Sequence, residues 1–406
     1  MSLLRRDMNC KKMLKHLALV LAGAMILPAF AMADIKMGVI LGFTGPIESL
    51  TPDMGGSAEV AFKEASDSGL LLGGQKIVSV RADSTCIDNA AATAAAERLV
   101  TAEKVAGIMG ADCSGVTTAV ANNVAVPNGV PMISPSATSP ALTTIADNGY
   151  FFRTAPSDAR QGQVLASITV ERGITSVAVT YVNSDYGKGL SDSFGKAFQA
   201  LGGTVTISVP HETGKADYSA EVASMDSAGG DAMAVFGYVN QGGPGIMQAS
   251  LDSGSFDKFI LADGMYGDDL LTNVEGDLTG TFGTVPGTDS KGAATYADMA
   301  NAAGLKGSGP FTGESYDAAA LLILAMQSAG STDGAAIASN VMGVANAPGE
   351  KIMPGELAKG LRILANGGAV DYVGATNVEL TGVGEASGSY REFEIRNKAF
   401  QTVRFR

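Results

Sequence analysis

The chain has 406 residues, 46% of them hydrophobic and 17% charged, with a formal net charge of −13. An acidic surface argues against nucleic acid or an anionic membrane as partner. Beyond residue 33 no apolar run approaches the roughly 18 residues that span a bilayer, so no later segment reads as a transmembrane helix.

The first 33 residues read as a secretory signal. Arg5, Arg6, Lys11, Lys12 and Lys15 make a basic start, "LALVLAGAMIL" (17–27) an apolar core, and Ala31-Met32-Ala33 a small-x-small cleavage site. This predicts export to the periplasm with cleavage after Ala33; Met8 and Met13 serve equally well as starts. Cys10 precedes the apolar core, so it is not the lipid-modified cysteine of a lipoprotein. Removing the segment, with its five basic residues and Asp7, takes the net charge from −13 to −17.

From Asp34 short β runs alternate with helical patterns. "IKMGVILG" (35–42) reads as a strand, and 55–69 as a helix with Ala58, Phe62 and Ala65 on one face. A strand over 76–83 follows, then a helix capped by Asp88, a strand over 105–110, a helix opened by Ser114, and a strand over 129–134. After "YFFRTAPSD" (150–158) the rhythm repeats, with strands over 176–182, 204–210, 231–239 and 256–263 and helices between them. "AAALLILAM" (318–326) reads as a buried helix, and its late helical block needs the first lobe's sheet to cover. "SYREFEIRN" (389–397) is β-like. Alternating βα units predict an α/β fold with parallel sheets covered by helices on both faces. Two such series in about 370 residues predict two lobes.

Ligands of open parallel sheets sit at the carboxyl ends of strands. Those ends here are "GFTGPIESL" (42–50), "GADCSG" (110–115), "SPSATSP" (134–140), "NSDYGKG" (183–189), "NQGGPG" (240–245) and "DGMYGDD" (263–269). A polar rim of solvated turns would look the same. Two features favour a site. Ser114 with Gly115 behind it offers a hydroxyl and free N–H groups to a carboxylate, although a structural cap needs no more than this. Asp158, Tyr186 and Asp263 fall at the equivalent edge of the second lobe, where acids and an aromatic suit an ammonium; Asp158 also fits a plain helix cap.

Cys86 and Cys113 remain after the signal is removed, and two cysteines in an exported chain imply one disulfide or two free thiols. No Cys/His cluster has metal-ligand spacing, so neither metal nor cofactor is expected. Nucleophile-elbow, P-loop and dinucleotide-binding motifs are lacking. His211, in "VPHETGK", reads as a surface residue; it is the one histidine after the signal, so a Ser-His-Asp triad is not expected and the protein reads as a non-enzyme.

With "DIKMGVILGFTGP", "DSTCIDNAAATAAAERLV", "GIMGADCSG", "PMISPSATSPALT", "YFFRTAPSDARQGQ", "NSDYGKGL" and "SYDAAALLILA" on the page, the chain resembles a known family from Asp34 nearly to its end. It is similar to the branched-chain amino-acid (Leu/Ile/Val) binding proteins of bacterial ABC transporters, type I periplasmic binding proteins. The resemblance implies two Rossmann-like lobes joined by three crossovers, closing like a flytrap on one amino acid. It implies an N-terminal lobe of 34–157 plus 287–372 and a C-terminal lobe of 158–286 plus 373–406.

The resemblance places the ligand carboxylate on Ser114 and Thr138. It places the ammonium on Asp158, the Ser136 carbonyl and the Thr138 hydroxyl, with Asp263 nearby. Tyr186 and Tyr238 match aromatic positions, Phe311 and Ala137 wall positions, and Cys86 and Cys113 the family's disulfide. Leu50 stands where the family usually has a tyrosine, and Asp112 where Leu-binding members have an apolar residue. A pocket-facing Asp112 implies a polar or shorter ligand side chain; a solvent-facing one leaves the pocket aliphatic. The expected function is a monomeric receptor that delivers an amino acid to a membrane permease. The alternative is a sensory protein binding an amide, urea or a carboxylate.

Overall fold

Strands and helices alternate through two sheets in the computed structural model, which describes residues 33–406. The expected signal peptide and Cys10 lie outside the described residues. The first series is β1 (Ile35–Leu41), α1 (Thr51–Asp67), β2 (Ile77–Asp83), α2 (Asn89–Glu97), β3 (Ile108–Gly110), α3 (Ser114–Val120), β4 (Met132–Ser134) and β5 (Phe151–Pro156). The second is α4 (Asp158–Glu171), β6 (Ser176–Val182), α5 (Asp185–Ala200), β7 (Thr204–His211), α6 (Ser219–Ala228), β8 (Ala232–Phe236), α7 (Gly243–Ser253), β9 (Phe259–Leu261), α8 (Asp268–Asn273) and β10 (Phe282–Pro286). Then come α9 (Lys291–Ala302), α10 (Thr312–Ala329), α11 (Gly334–Ala345), β11 (Glu350–Ile352), α12 (Leu357–Ala365), β12 (Val370–Tyr372), β13 (Glu385–Ala386), β14 (Tyr390–Arg396) and β15 (Ala399–Phe405).

The first sheet has the order β13-β5-β4-β3-β1-β2 and is parallel throughout. The second has the order β15-β14-β10-β9-β8-β6-β7, parallel from β7 to β10. Its far edge is an antiparallel hairpin, β14–β15, which the sequence reading did not resolve. That hairpin turns on Asn397 and Lys398, both at positive φ, the geometry of a two-residue turn whose twist matches its strands. The chain passes between sheets after β5, after β10 and after β13. β13 pairs with β5, so the last passage lies between Ala386 and Tyr390 and not at residue 373.

The passages are stitched together. Gly287 and Ser389 exchange backbone and side-chain hydrogen bonds, and the Tyr390 hydroxyl donates to the Ser157 carbonyl at 3.2 Å. Helix α10 is the spine of the first lobe. It packs on α1, β4 and β5 and buries every residue from Ser315 to Gln327. Each fully buried Leu or Ile there contributes about 1.5–3 kcal/mol, and Leu322→Ala would cost roughly 2–5 kcal/mol through the cavity it leaves.

Asp88 caps α2 by accepting from the N–H groups of Ala90 and Ala91. Helix α1 starts at Thr51, four residues earlier than its apolar face suggested, because Pro52 fits the first helical turn. The surface position expected for His211 is wrong. It is buried at the end of β7, its Nδ1 is 2.9 Å from the Thr180 hydroxyl, and its Nε2 has no partner. Burial pushes its pKa down to about 4.

Candidate functional site

The carboxyl ends of both sheets face one cavity of about 350 Å3, counted out to its mouth. The first lobe contributes Ile47, Leu50, Met54, Asp112, Cys113, Ser114, Ser136 and Phe311; the second contributes Tyr186, Tyr238, Asp263 and Gly264. Strand geometry sets this arrangement, since parallel strands ending together point their exit loops into one cleft.

Cys86 and Cys113 form a disulfide that ties the exit of β2 to the start of α3. Ser114 is the first helical residue and not the cap, which is Cys113. Its hydroxyl accepts from the Ser139 N–H at 3.1 Å, which binds α3 to the loop after β4.

That loop is held from behind by Arg153, a residue the sequence reading passed over. Its guanidinium is 1% exposed and donates to the carbonyls of Ala137 (3.0 Å) and Ser139 (2.9 Å), to the Thr143 hydroxyl, and to Glu385. Ala137 is therefore buried with its carbonyl taken, and lies outside the cavity wall. The Ser136 side chain donates to the Asp112 carbonyl at 3.1 Å and the residue remains in the wall.

Thr138 and Asp158 are fully buried beside the wall, and the Thr138 hydroxyl has no hydrogen-bond partner. The Asp158 N–H donates to the Thr138 carbonyl at 2.8 Å, joining the two lobes at the site. Asp158 is not a helix cap; Ser157 is, accepting from the Ala159 N–H. Neither carboxylate oxygen of Asp158 makes a hydrogen bond of good geometry, although the Thr138 hydroxyl lies near enough to favour its charged form. Burial, and then the charge of Asp263, push the Asp158 pKa well above the usual carboxylate range. Burial pushes Asp263 up to about 6. Asp263 accepts from the Tyr186 hydroxyl at 3.3 Å, and Tyr186 stacks on Tyr238 with ring centres 5.3 Å apart. Two buried acids without a cation are costly, so the pair favours a proton or an ammonium beside it.

Asp112 is in the wall, but its carboxylate is already engaged. One oxygen accepts from the Gly42 N–H and the other from the Ser84 hydroxyl at 2.7 Å. It is 1% exposed, so it neither points to solvent nor offers a free charge to the cavity. Leu50 is in the wall with Ile47 and Met54, which the sequence reading missed. Their i, i+3, i+7 spacing was the available signal. With Phe311, held at φ 59° before α10, they make an apolar part of the wall.

A model of the family described as "Periplasmic binding protein" matches residues 34–357. A Leu/Ile/Val-binding protein homolog 1 from Brucella abortus is 30% identical over 318 residues, covering 77% of this chain and 83% of the relative. The branched-chain amino acid transporter substrate-binding protein LivJ from Streptococcus pneumoniae, solved with isoleucine, has the same fold. Its TM-score is 0.74 at 22% identity, over 92% of this chain and 99% of that one. A solute-binding protein from R. palustris, solved with 4-hydroxybenzoate, also shares the fold, with a TM-score of 0.72 at 19% identity over 92% and 97%.

Proposed function

Because the chain belongs to the branched-chain amino-acid binding family of periplasmic binding proteins, we propose that it is the substrate-binding protein of an ABC transporter. In this reading it captures an aliphatic α-amino acid between its lobes and hands it to a membrane permease. It works as an exported monomer in the periplasm and carries out no catalysis.

The fold alone does not choose the ligand, since likenesses of this fold bind isoleucine in one case and 4-hydroxybenzoate in another. The observation that carries the choice is Asp158, buried with both oxygens unpartnered beside a second acid, Asp263. A ligand ammonium would let the pair ionise beside it, whereas an arene carboxylate brings no cation and would meet any charge the pair carries. The carboxylate would sit at Ser114 and Thr138, and the ammonium at Asp158 and the Ser136 carbonyl. The side chain would lie against Ile47, Leu50, Met54 and Phe311. Asp112 is spoken for by Gly42 and Ser84, which favours an aliphatic side chain over a polar one.

Calorimetry tests the reading. Leucine, isoleucine or valine should bind with one-to-one stoichiometry, while their 2-oxo analogues and 4-hydroxybenzoate should not. Asp158→Ala should cost at least about 2 kcal/mol, some thirtyfold in Kd, by leaving the ammonium unpaired. Unchanged affinity in that variant, or 2-oxo acids binding as tightly as the amino acids, would sink the proposal.

A further inference from the structure

We infer that the hinge holds a second binding site, for a small zwitterion carrying an ammonium and a carboxylate, in the crevice between Glu314 of the first lobe and Arg391 of the second. The crevice is open to solvent, leaves about 130 Å3 for a small molecule, and shares no wall residue with the cavity between the sheet ends. Pro286 and Gly287 of the second chain passage form one side; Tyr296, Glu314 and Thr376 form another; Arg391 of β14 closes it.

Two complementary groups there have unmet capacity. Glu314, in the first turn of α10, is 5% exposed, and its carboxyl is met by its own backbone N–H and, among the described residues, by no other residue's donor. A second recess, with only about 10 Å3 of room, also touches Glu314. Burial pushes its pKa up to about 8. The Arg391 Nε is buried without a partner. The rest of that guanidinium lies 4.9 Å over the Tyr266 ring and reaches the Ser308 carbonyl at 3.5 Å, a marginal hydrogen bond.

Three other hydroxyls of the wall already have partners. The Tyr296 hydroxyl is 2.6 Å from that of Ser57, the Thr376 hydroxyl donates to Asp317 at 2.7 Å, and the Thr312 hydroxyl donates to the Gly309 carbonyl at 2.9 Å. An acid and a base line one crevice from opposite lobes without pairing with each other. A lone cation would meet the Arg391 charge, and a lone anion would leave Glu314 holding its proton, with its capacity for a cation unused. A zwitterion satisfies both, with its ammonium on Glu314 and its carboxylate on Arg391. Since the two groups ride on different lobes, such a ligand would favour the lobe arrangement that sets their spacing.

The test uses the mature chain carrying Asp158→Ala, which weakens the main cleft. Glycine, β-alanine and γ-aminobutyrate, whose charges stand at increasing separation, are titrated by calorimetry, with methylammonium and acetate as single-charge controls. At least one of the three should bind one-to-one, and bind at least about tenfold more weakly after either Glu314→Gln or Arg391→Gln. Thermal unfolding of each variant checks that it folds; if one does not, the other carries the test. The inference is overturned if none of the three binds, as a crevice filled only by water requires. It is also overturned if binding is indifferent to both substitutions, or if the single-charge controls bind as tightly. Loss of amino-acid binding from the main cleft in Asp158→Ala is scored separately, with Glu314 and Arg391 intact.

Discussion

Ser49 and Asn240 meet across the cleft. The Ser49 hydroxyl and N–H both donate to the Asn240 side-chain oxygen, at 2.9 and 3.1 Å, and the Asn240 N–H donates to the Pro46 carbonyl at 3.0 Å. The side-chain nitrogen of Asn240 is fixed by Asp269 at 2.6 Å, so its amide orientation is set before the first lobe arrives. These bonds tie the two lobes together across the cleft, where they would act as a latch if the lobes close on ligand.

Asn240→Ala should therefore favour the open form. Losing two side-chain hydrogen bonds of about 0.5–1.5 kcal/mol each should weaken ligand binding about tenfold, with little change in unfolding temperature without ligand. Calorimetry and the scattering radius of gyration check this. An unchanged Kd would show that the latch carries no closing energy.

Ligand binding should depend on pH. In the closed cleft Asp158 and Asp263 have raised pKa values, Asp263 to about 6, so without ligand they hold protons that an entering ammonium must displace. Affinity should be greatest above the raised pKa values and fall as pH drops through about 6, approaching tenfold per pH unit where one proton is displaced. Asp263→Asn should flatten that slope. A pH-independent Kd between pH 5 and 8 would contradict the assignment.

Folding stability should carry a separate acid-sensitive component from His211. Its folded pKa of about 4 lies below the ordinary 6.5, so the unfolded chain binds the proton more readily. Stability is fully present above pH 6.5 and is lost as pH falls toward 4, by up to on the order of 3 kcal/mol. Denaturant titrations of the wild type and of His211→Gln across that window measure it. Equal pH slopes for the two would refute the account.

Arg153→Met should be among the most damaging single changes. It leaves the part-buried Glu385 without its cation and the buried carbonyls of Ala137 and Ser139 without a donor, at roughly 3 kcal/mol. Urea unfolding should show the loss. Any variant that folds should bind ligand more weakly, because the loop bearing Ser136 and Thr138 is no longer fixed.

Much of the fold was legible because βα alternation follows directly from hydrophobic period and turn chemistry. The Asp88 cap was readable for the same local reason. The strand β13 was not, since two residues carry no period; its pairing with β5 moved the last lobe boundary. The hairpin turn at Asn397–Lys398 lacks the glycine that usually announces such a turn. At the site, the positions at strand ends could be named in advance, but their roles depended on hydrogen bonds between segments far apart in sequence. Asp112 is the clearest case, since its meaning rests on Ser84 and Gly42. Arg153 and Asn240 looked like ordinary polar residues until their distant partners were seen.

The buried guanidinium of Arg153 has a consequence for how such receptors diversify. It cements the 136–139 loop to the body of the first lobe, so the part of the cleft assigned to the invariant atoms of an amino acid cannot drift without unfolding something else. The lip carrying Ile47, Leu50 and Met54 is held through its neighbours, by Thr44 on Asp83, Thr51 on the Gly42 carbonyl and Asn240 on Pro46 and Ser49, while those three side chains themselves carry no polar tie. New solute preferences should therefore accumulate in the lip while the loop stays constant. An attempt to retrain the protein for a different side chain should randomise those three positions and leave everything Arg153 touches alone.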